Sequence, residues 1–223
     1  MPFELVIFDC DGVLVDSESI SCRTIAEMAT ELGFPMTTHE AIHNFVGTSI
    51  EYVVDFLKDK ISQPVPSDFE SRYRTTCLER FQTDLQPIPG IEKVLNHLNI
   101  AKCVGSNGPR HKIISNLQLT NLIQYFDSNH LFSAYDIKKW KPLPDLYLHA
   151  ANQMNIKLHK CVVVEDSVAG VQAARAAGMT VYGYVGDTDG KALAKAGAKL
   201  ISCLLYTSPS PRDATLSRMP SSA

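Results

Sequence analysis

The chain has 223 residues, 45% of them hydrophobic and 20% charged, which fits a folded globular protein with room for one medium domain or a core carrying an inserted smaller one. Its formal charge of -3 offers no basic field for nucleic acid. The six cysteines form no CxxC pair and point to a reducing compartment, not to a disulfide framework or zinc knuckle. No signal-like segment precedes the first apolar run, and no run reaches about 18 residues, so the expected location is cytoplasmic and away from membranes.

Leu5-Val6-Ile7-Phe8 reads as a buried strand, and it runs straight into Asp9-Cys10-Asp11-Gly12. Two carboxylates two residues apart, where a strand ends and a glycine turn begins, suit a metal ion and attack on an electrophile. Helical spacing follows over Ser19–Leu32, with Gly33 as the stop, then between Thr38 and Gly47, over Ile50–Leu57 and over Phe69–Phe81. Pro64 and Pro66 break the third from the fourth, and no strand is expected between residues 18 and 85.

The pattern changes at Pro87-Ile88-Pro89-Gly90, a stiff turn before a helix that turns Val94, Leu95 and Leu98 inward. Ala101–Gly105 is a short strand ending in Ser106-Asn107-Gly108-Pro109, and residues 111–119 look helical. A helix over Tyr147–Met154 follows Lys141-Pro142-Leu143-Pro144. Cys161–Val164 is a second continuous apolar strand; it ends in Glu165-Asp166, and Ser167 caps a helix running to Gly178. Thr180–Val185 is a further strand. Strands alternating with helices imply an α/β fold, a doubly wound parallel sheet interrupted by an all-helical insertion. Leu204–Ala223, with five serines, three prolines and no period, reads as a tail unrelated to the fold.

Parallel strands place Asp9, Asp11, Ser106, Asn107, Glu165 and Asp166 on one side of the sheet, where α/β folds bind ligands. Asp9 and Asp166 are oxygen donors suited to Mg2+, while Ser106 and Lys141 offer a hydroxyl and a fixed positive charge for a phosphoryl group. Cys10, between the two aspartates, should point away from both.

At Asp9-Cys10-Asp11-Gly12-Val13, Ser106-Asn107, Lys141-Pro142-Leu143-Pro144-Asp145 and Glu165-Asp166-Ser167 the chain resembles the haloacid dehalogenase superfamily, in its phosphatase and phosphomutase branch. The resemblance implies a Rossmann-like core over 1–16 and 87–203 and a helical cap over 17–86. It implies that Asp9 is the nucleophile and Asp11 the acid/base, that Ser106 and the Asn107 N–H hold the phosphoryl oxygens, and that Lys141 neutralises charge. Mg2+ would be held by Asp9, the Asp11 carbonyl and Asp166, with Glu165 ligating directly or through water. Gly47, Thr48 and Ser49, with Asn44, are the cap's candidates for substrate contact, and Arg23, Arg72 and Arg74 for a second anionic group. The expected protein is a monomeric phosphatase of a small phosphorylated metabolite. The stretches Ser106–Pro109 and Tyr135–Pro142 look closest to bacterial phosphatases of 6-phosphogluconate and similar substrates. The alternatives are a β-phosphoglucomutase-like isomerase, whose cap histidine is matched here by Ser21, and a phosphate-binding protein without turnover.

Overall fold

In a computed structural model, which describes residues 3–46, 48–186 and 188–201, six parallel strands form one sheet in the order β3-β2-β1-β4-β5-β6. The strands are β1 (Leu5–Phe8), β2 (Ala101–Ser106), β3 (Leu131–Ser133), β4 (Cys161–Glu165), β5 (Thr180–Tyr184) and β6 (Lys199–Ile201). Strand β1 lies at the centre: Leu5 is in register with Ala101 on one side and Cys161 on the other. The strand order reverses beside β1, and that switch point opens a crevice at the strands' carboxyl ends.

Alternation along the strands builds two cores. Val6, Phe8, Val104, Val162 and Val164 face one way, packing against α5 (Ile91–His97) and α6 (Arg110–Leu119). Leu5, Ile7, Cys103, Cys161 and Val163 face the other, against α8 (Asp145–Gln153), α9 (Val168–Ala176) and α10 (Gly190–Ala196). Both faces are covered, which is why β1 and β4 read as unbroken apolar runs.

The insertion is helical as expected: α1 (Ser17–Glu31), α2 (Thr38–Phe45), α3 (Ile50–Lys60) and α4 (Phe69–Asp84). It has its own apolar cluster, with Ile25, Met28, Phe45, Val53, Leu57 and Phe69 buried together. Asp16 caps α1 by accepting from Ser19 N at 3.3 Å, and Thr37 with Glu40 forms a capping box on α2. The chain leaves and re-enters the sheet layer through paired backbone: Asp16 N donates to Gln86 O at 2.9 Å and Ile88 N to Leu14 O at 2.9 Å.

Several elements differ from the sequence reading. The three-residue strands β3 and β6, the four-residue helix α7 (Ala134–Ile137) and α10 were not expected. Three or four residues are too few to display a period, and β3 and β6 are the two edges of the sheet. Helix α8 starts at Asp145, two residues before the expected start, and β2 extends to Ser106. The expectations for Gly47 and for the tail Leu204–Ala223 fall outside the described residues.

Candidate active site

The carboxyl ends of β1, β2 and β4 bring the charged groups together. Asp9 follows β1 directly; its backbone N–H bonds Val164 O at 3.0 Å, and the residue is 8% exposed. Lys141, 7% exposed, reaches in from the loop before α8, and its Nζ lies 2.6 Å from both Asp9 Oδ1 and Glu165 Oε1. The loop is tied to β2, because Lys141 N donates to Asn107 Oδ1 at 2.9 Å.

Glu165 is fully enclosed and its oxygens are well supplied with donors. Oε1 accepts from Lys141 and, at 2.8 Å, from Tyr147 OH; Oε2 accepts from Ser167 N at 2.9 Å and Ser167 Oγ at 2.8 Å. Gly170 in α9 makes the space: a Cβ there would fall 1.7 Å from Glu165 Oε1. Gly12 does the same for Asp166, because a Cβ on it would fall 2.0 Å from Asp166 Oδ2. Asp166 and Gly12 line a cleft of about 160 Å³, with Asp16, Glu18 and Tyr184 along its walls.

One oxygen from each of Asp9, Glu165 and Asp166 lies within 4.8 Å of the others. Three clustered carboxylates, those of Asp9 and Glu165 buried and that of Asp166 half-buried, against the single Lys141 ammonium leave negative charge uncompensated. Lys141 is held protonated: burial disfavours its charge, but Asp9 and Glu165 outweigh burial. Burial pushes Glu165 up, yet Lys141 and the Ser167 donors hold it below the usual range. Burial, opposed by Lys141 and reinforced by Glu165, pushes the Asp9 carboxyl up to about 7. Burial, Glu165 and Asp9 push Asp166 far up. An excess of hard oxygen donors and negative charge fits a divalent cation such as Mg2+.

Asp11 stands apart with different partners. Ser17 Oγ donates to its Oδ1 at 2.7 Å, Asn116 Nδ2 donates to the same oxygen at 3.3 Å, and Lys112 Nζ lies 3.1 Å from both oxygens. Burial raises this carboxyl, but Lys112 and the Ser17 hydrogen bond outweigh it and hold it low. Ser106 is 2% exposed and its Oγ accepts from Gly108 N at 3.0 Å. Ser133 Oγ donates to Gly108 O at 2.7 Å and fixes the same turn from β3.

Asp9, Asp11, Ser106, Asn107, Lys141, Glu165 and Asp166 thus assemble at one end of the sheet. The arginines are committed elsewhere: Arg23 pairs with Asp84, Arg72 with Glu31 at 3.0 Å, and Arg74 with Glu70 at 2.7 Å, all on the surface of the helical block. Thr48 Oγ1 donates to Phe45 O at 2.8 Å, Ser49 Oγ caps α3 by accepting from Tyr52 N at 3.3 Å, and Asn44 Nδ2 donates to Glu40 O at 2.7 Å. Trp140 is an exposed neighbour of Lys141, stacked edge-to-face on Tyr135 at 5.5 Å. Cys10 is enclosed in the sheet core, and burial with Asp11 and Asp9 nearby pushes its thiol far up, so it is no nucleophile.

Ser17, Lys112, Asn116, Ser133 and Tyr147 escaped the sequence reading. Lys112 and Tyr147 share one signal: each lies in the first turn of a helix that directly follows a site motif.

Fold and site define a doubly wound α/β enzyme whose reactive groups gather beyond the carboxyl ends of three central strands. The chain belongs to the haloacid dehalogenase-like hydrolase family, whose model matches residues 6–184. It is 36% identical over 189 residues to the 6-phosphogluconate phosphatase of Escherichia coli, covering 84% of this chain and 85% of that protein. Among solved structures, a conserved haloacid dehalogenase-like protein of unknown function from Agrobacterium tumefaciens superposes with a TM-score of 0.86 at 35% identity, covering 91% of this chain and 95% of that one. A hydrolase of the same family from Deinococcus radiodurans, solved with phosphate and sodium bound, gives 0.79 at 31% identity, covering 89% and 90%. Among the described residues no helix is long and apolar enough to cross a membrane.

Proposed function

We propose that this enzyme is a Mg2+-dependent phosphatase of a small phosphorylated metabolite, a sugar phosphate or a 6-phosphogluconate-like sugar-acid phosphate. The observation that carries the reading is the division of labour between two aspartates on one turn. Asp9 sits against Lys141 in the acidic cluster, and Asp11 sits outside it on Ser17, Lys112 and Asn116. The relative named 6-phosphogluconate phosphatase and the neighbour with bound phosphate support the substrate class.

In the proposed reaction an Asp9 oxygen attacks phosphorus, and the bond from phosphorus to the leaving oxygen breaks as Asp11 donates a proton to it. Water then attacks the aspartyl phosphate, Asp11 takes the water's proton, and the Asp9–phosphorus bond breaks to release phosphate. Ser106 and the Asn107 N–H hold phosphoryl oxygens, and Lys141 balances their charge. Asp9, the Asp11 carbonyl and Asp166, with Glu165 in support, would hold Mg2+, which would supply the charge neutralisation that lets two anions approach. The core would comprise 1–16 and 87–203, with 17–86 as a cap that excludes water and reads the leaving group. The free, buried cysteines among the described residues suit a reducing cytoplasm.

Ser21, at the position that a cap histidine would occupy, offers no imidazole for the isomerase alternative. A panel of sugar phosphates, sugar-acid phosphates and nucleotides with Mg2+ tests the reading by phosphate release. Isomerised β-glucose 1-phosphate without any released phosphate would refute it. Asp9→Asn should abolish turnover and leave the circular dichroism spectrum unchanged.

A further inference from the structure

Asp11 is gripped asymmetrically. Its Oδ1 accepts from Ser17 at 2.7 Å and Asn116 at 3.3 Å, and Lys112 Nζ stands 3.1 Å from that oxygen as well. Lys112, again at 3.1 Å, is the one donor to Oδ2 among the described residues. Oδ2 is the oxygen on the side of the β2 turn, because a Cβ on Gly108 would lie 3.3 Å from Ser106 Oγ and 3.9 Å from Asp11 Oδ2. The better-anchored oxygen is thus Oδ1, and the one with fewer donors, Oδ2, is the one that approaches the turn carrying Ser106.

Lys112 is itself placed by packing. It lies in the first turn of α6, and its Nζ is 5.8 Å from the centroid of Phe81, a buried residue of α4. Ser17, the other main anchor of Asp11, is the first residue of α1. The two ends of the helical block thus supply one anchor of Asp11 and the cover of another. The Lys112 side chain remains 31% exposed, and ion pairs with that much solvent add little to stability. A precise bidentate grip on a group that must move a proton has a different consequence, because small misplacements cost rate steeply.

We infer that Lys112, assisted by Asn116, is the positioning residue for Asp11. It orients the carboxylate so that Oδ2 exchanges the proton with the leaving oxygen and then with water, and Phe81 holds it in place when the helical block is docked. The inference rests on the proposed acid/base role of Asp11. Lys112 keeps its protons throughout and touches neither substrate nor cation.

The test uses the full chain with Mg2+, glucose 6-phosphate and p-nitrophenyl phosphate. Lys112→Met should lower kcat on glucose 6-phosphate by about tenfold to a hundredfold with KM changed by less than about threefold. Lys112→Arg, which keeps the charge and two donors, should recover kcat to within about fivefold of the parent. With p-nitrophenyl phosphate the departing nitrophenolate needs no proton, so only the water step should slow. Rapid mixing should then show a burst of nitrophenolate followed by slow turnover. If Lys112→Met does not fold, Asn116→Ala should give a smaller loss of the same kind. Unchanged kcat, a loss confined to KM, or no recovery with a folded Lys112→Arg overturns the inference. Asp9→Asn separates the two claims: if it is inactive while Lys112→Met turns over normally, only the role of Lys112 falls. If Asp9→Asn still turns over, the reading of the whole site falls.

Discussion

Replacing Lys141 by methionine probes the electrostatic centre of the site. The Lys141 side chain is 3% exposed and its Nζ lies 2.6 Å from carboxylates whose side chains are 12% and 0% exposed. Methionine fills much of the same volume but leaves the buried Asp9 and Glu165 beside Asp166 with no lysine among them. Removing one partner of a buried pair costs about 3–5 kcal/mol. In a chain of this length each kcal/mol moves the melting temperature by about 2–4 °C, so the metal-free variant should melt about 6–20 °C below the parent at pH 8.

The pH dependence carries the sharper test. In the parent, Lys141 helps hold the Glu165 carboxyl below its ordinary value, so Glu165 contributes stability above its unfolded pKa and loses it as pH falls through the folded one. Without Lys141, burial and neighbouring carboxylates dominate, and ionisation of Glu165, Asp9 and Asp166 opposes folding. The gap between parent and variant should therefore narrow as pH falls from 8 towards about 5, because the variant's carboxylates take up protons. Melting curves in EDTA at several pH values measure this directly. Equal melting temperatures at pH 8, or a gap that widens on acidification, would show that Lys141 does not compensate this cluster.

The site makes three further demands. Gly170→Ala in an ordinary helix would gain up to about 1 kcal/mol; here the Cβ falls 1.7 Å from Glu165 Oε1, so a loss of about 1–3 kcal/mol is expected in a urea titration. Tyr147→Phe removes the 2.8 Å donor to Glu165 and should cost about 1–3 kcal/mol, read from the same titration. In metal-free protein the raised Asp9 carboxyl favours folding at low pH, and that contribution is lost as pH rises from its unfolded value near 3.8 through about 7. Stabilisation by Mg2+ should accordingly grow across this window in thermal-shift measurements, and a gain independent of pH would contradict it.

The parts of this molecule that were legible in its sequence are those decided locally. β1 and β4 are buried on both faces, so their composition alone marks them; Glu165 ends β4, and Asp9, Asp11 and Asp166 lie within three residues of a strand end. β3 and β6 escaped because a short edge strand owes its conformation to the neighbour it pairs with: Ser106 aligns with Ser133 and Tyr184 with Ile201. Lys112 and Asn116 escaped because α6 carries them to Asp11 from about a hundred residues further along the chain, a distance no local pattern encodes. The three arginines failed for the opposite reason. Their charge was visible, and Glu70 lies one helical turn before Arg74 in α4, but Asp84 and Glu31, the distant partners of Arg23 and Arg72, were not assignable until the block was packed.

The metal-free electrostatics of the two aspartates run against their proposed roles, and that opposition is informative. A nucleophile should be ionised, yet Asp9 is pushed up to about 7; a proton donor should hold its proton, yet Lys112 and Ser17 keep Asp11 low. A cation and a phosphoryl group at the site would act against both shifts. A divalent cation beside Asp9 favours its charged form, because opposite charge lowers a carboxyl as surely as Glu165 now raises it. A phosphoryl group beside Oδ2 of Asp11 brings negative charge that raises this carboxyl and makes it the better donor. Lys112 then tempers the rise, so that after the leaving group departs Asp11 is ready to take the proton of the attacking water. On this reading cation and substrate together would establish the order of ionisation that phosphoryl transfer requires.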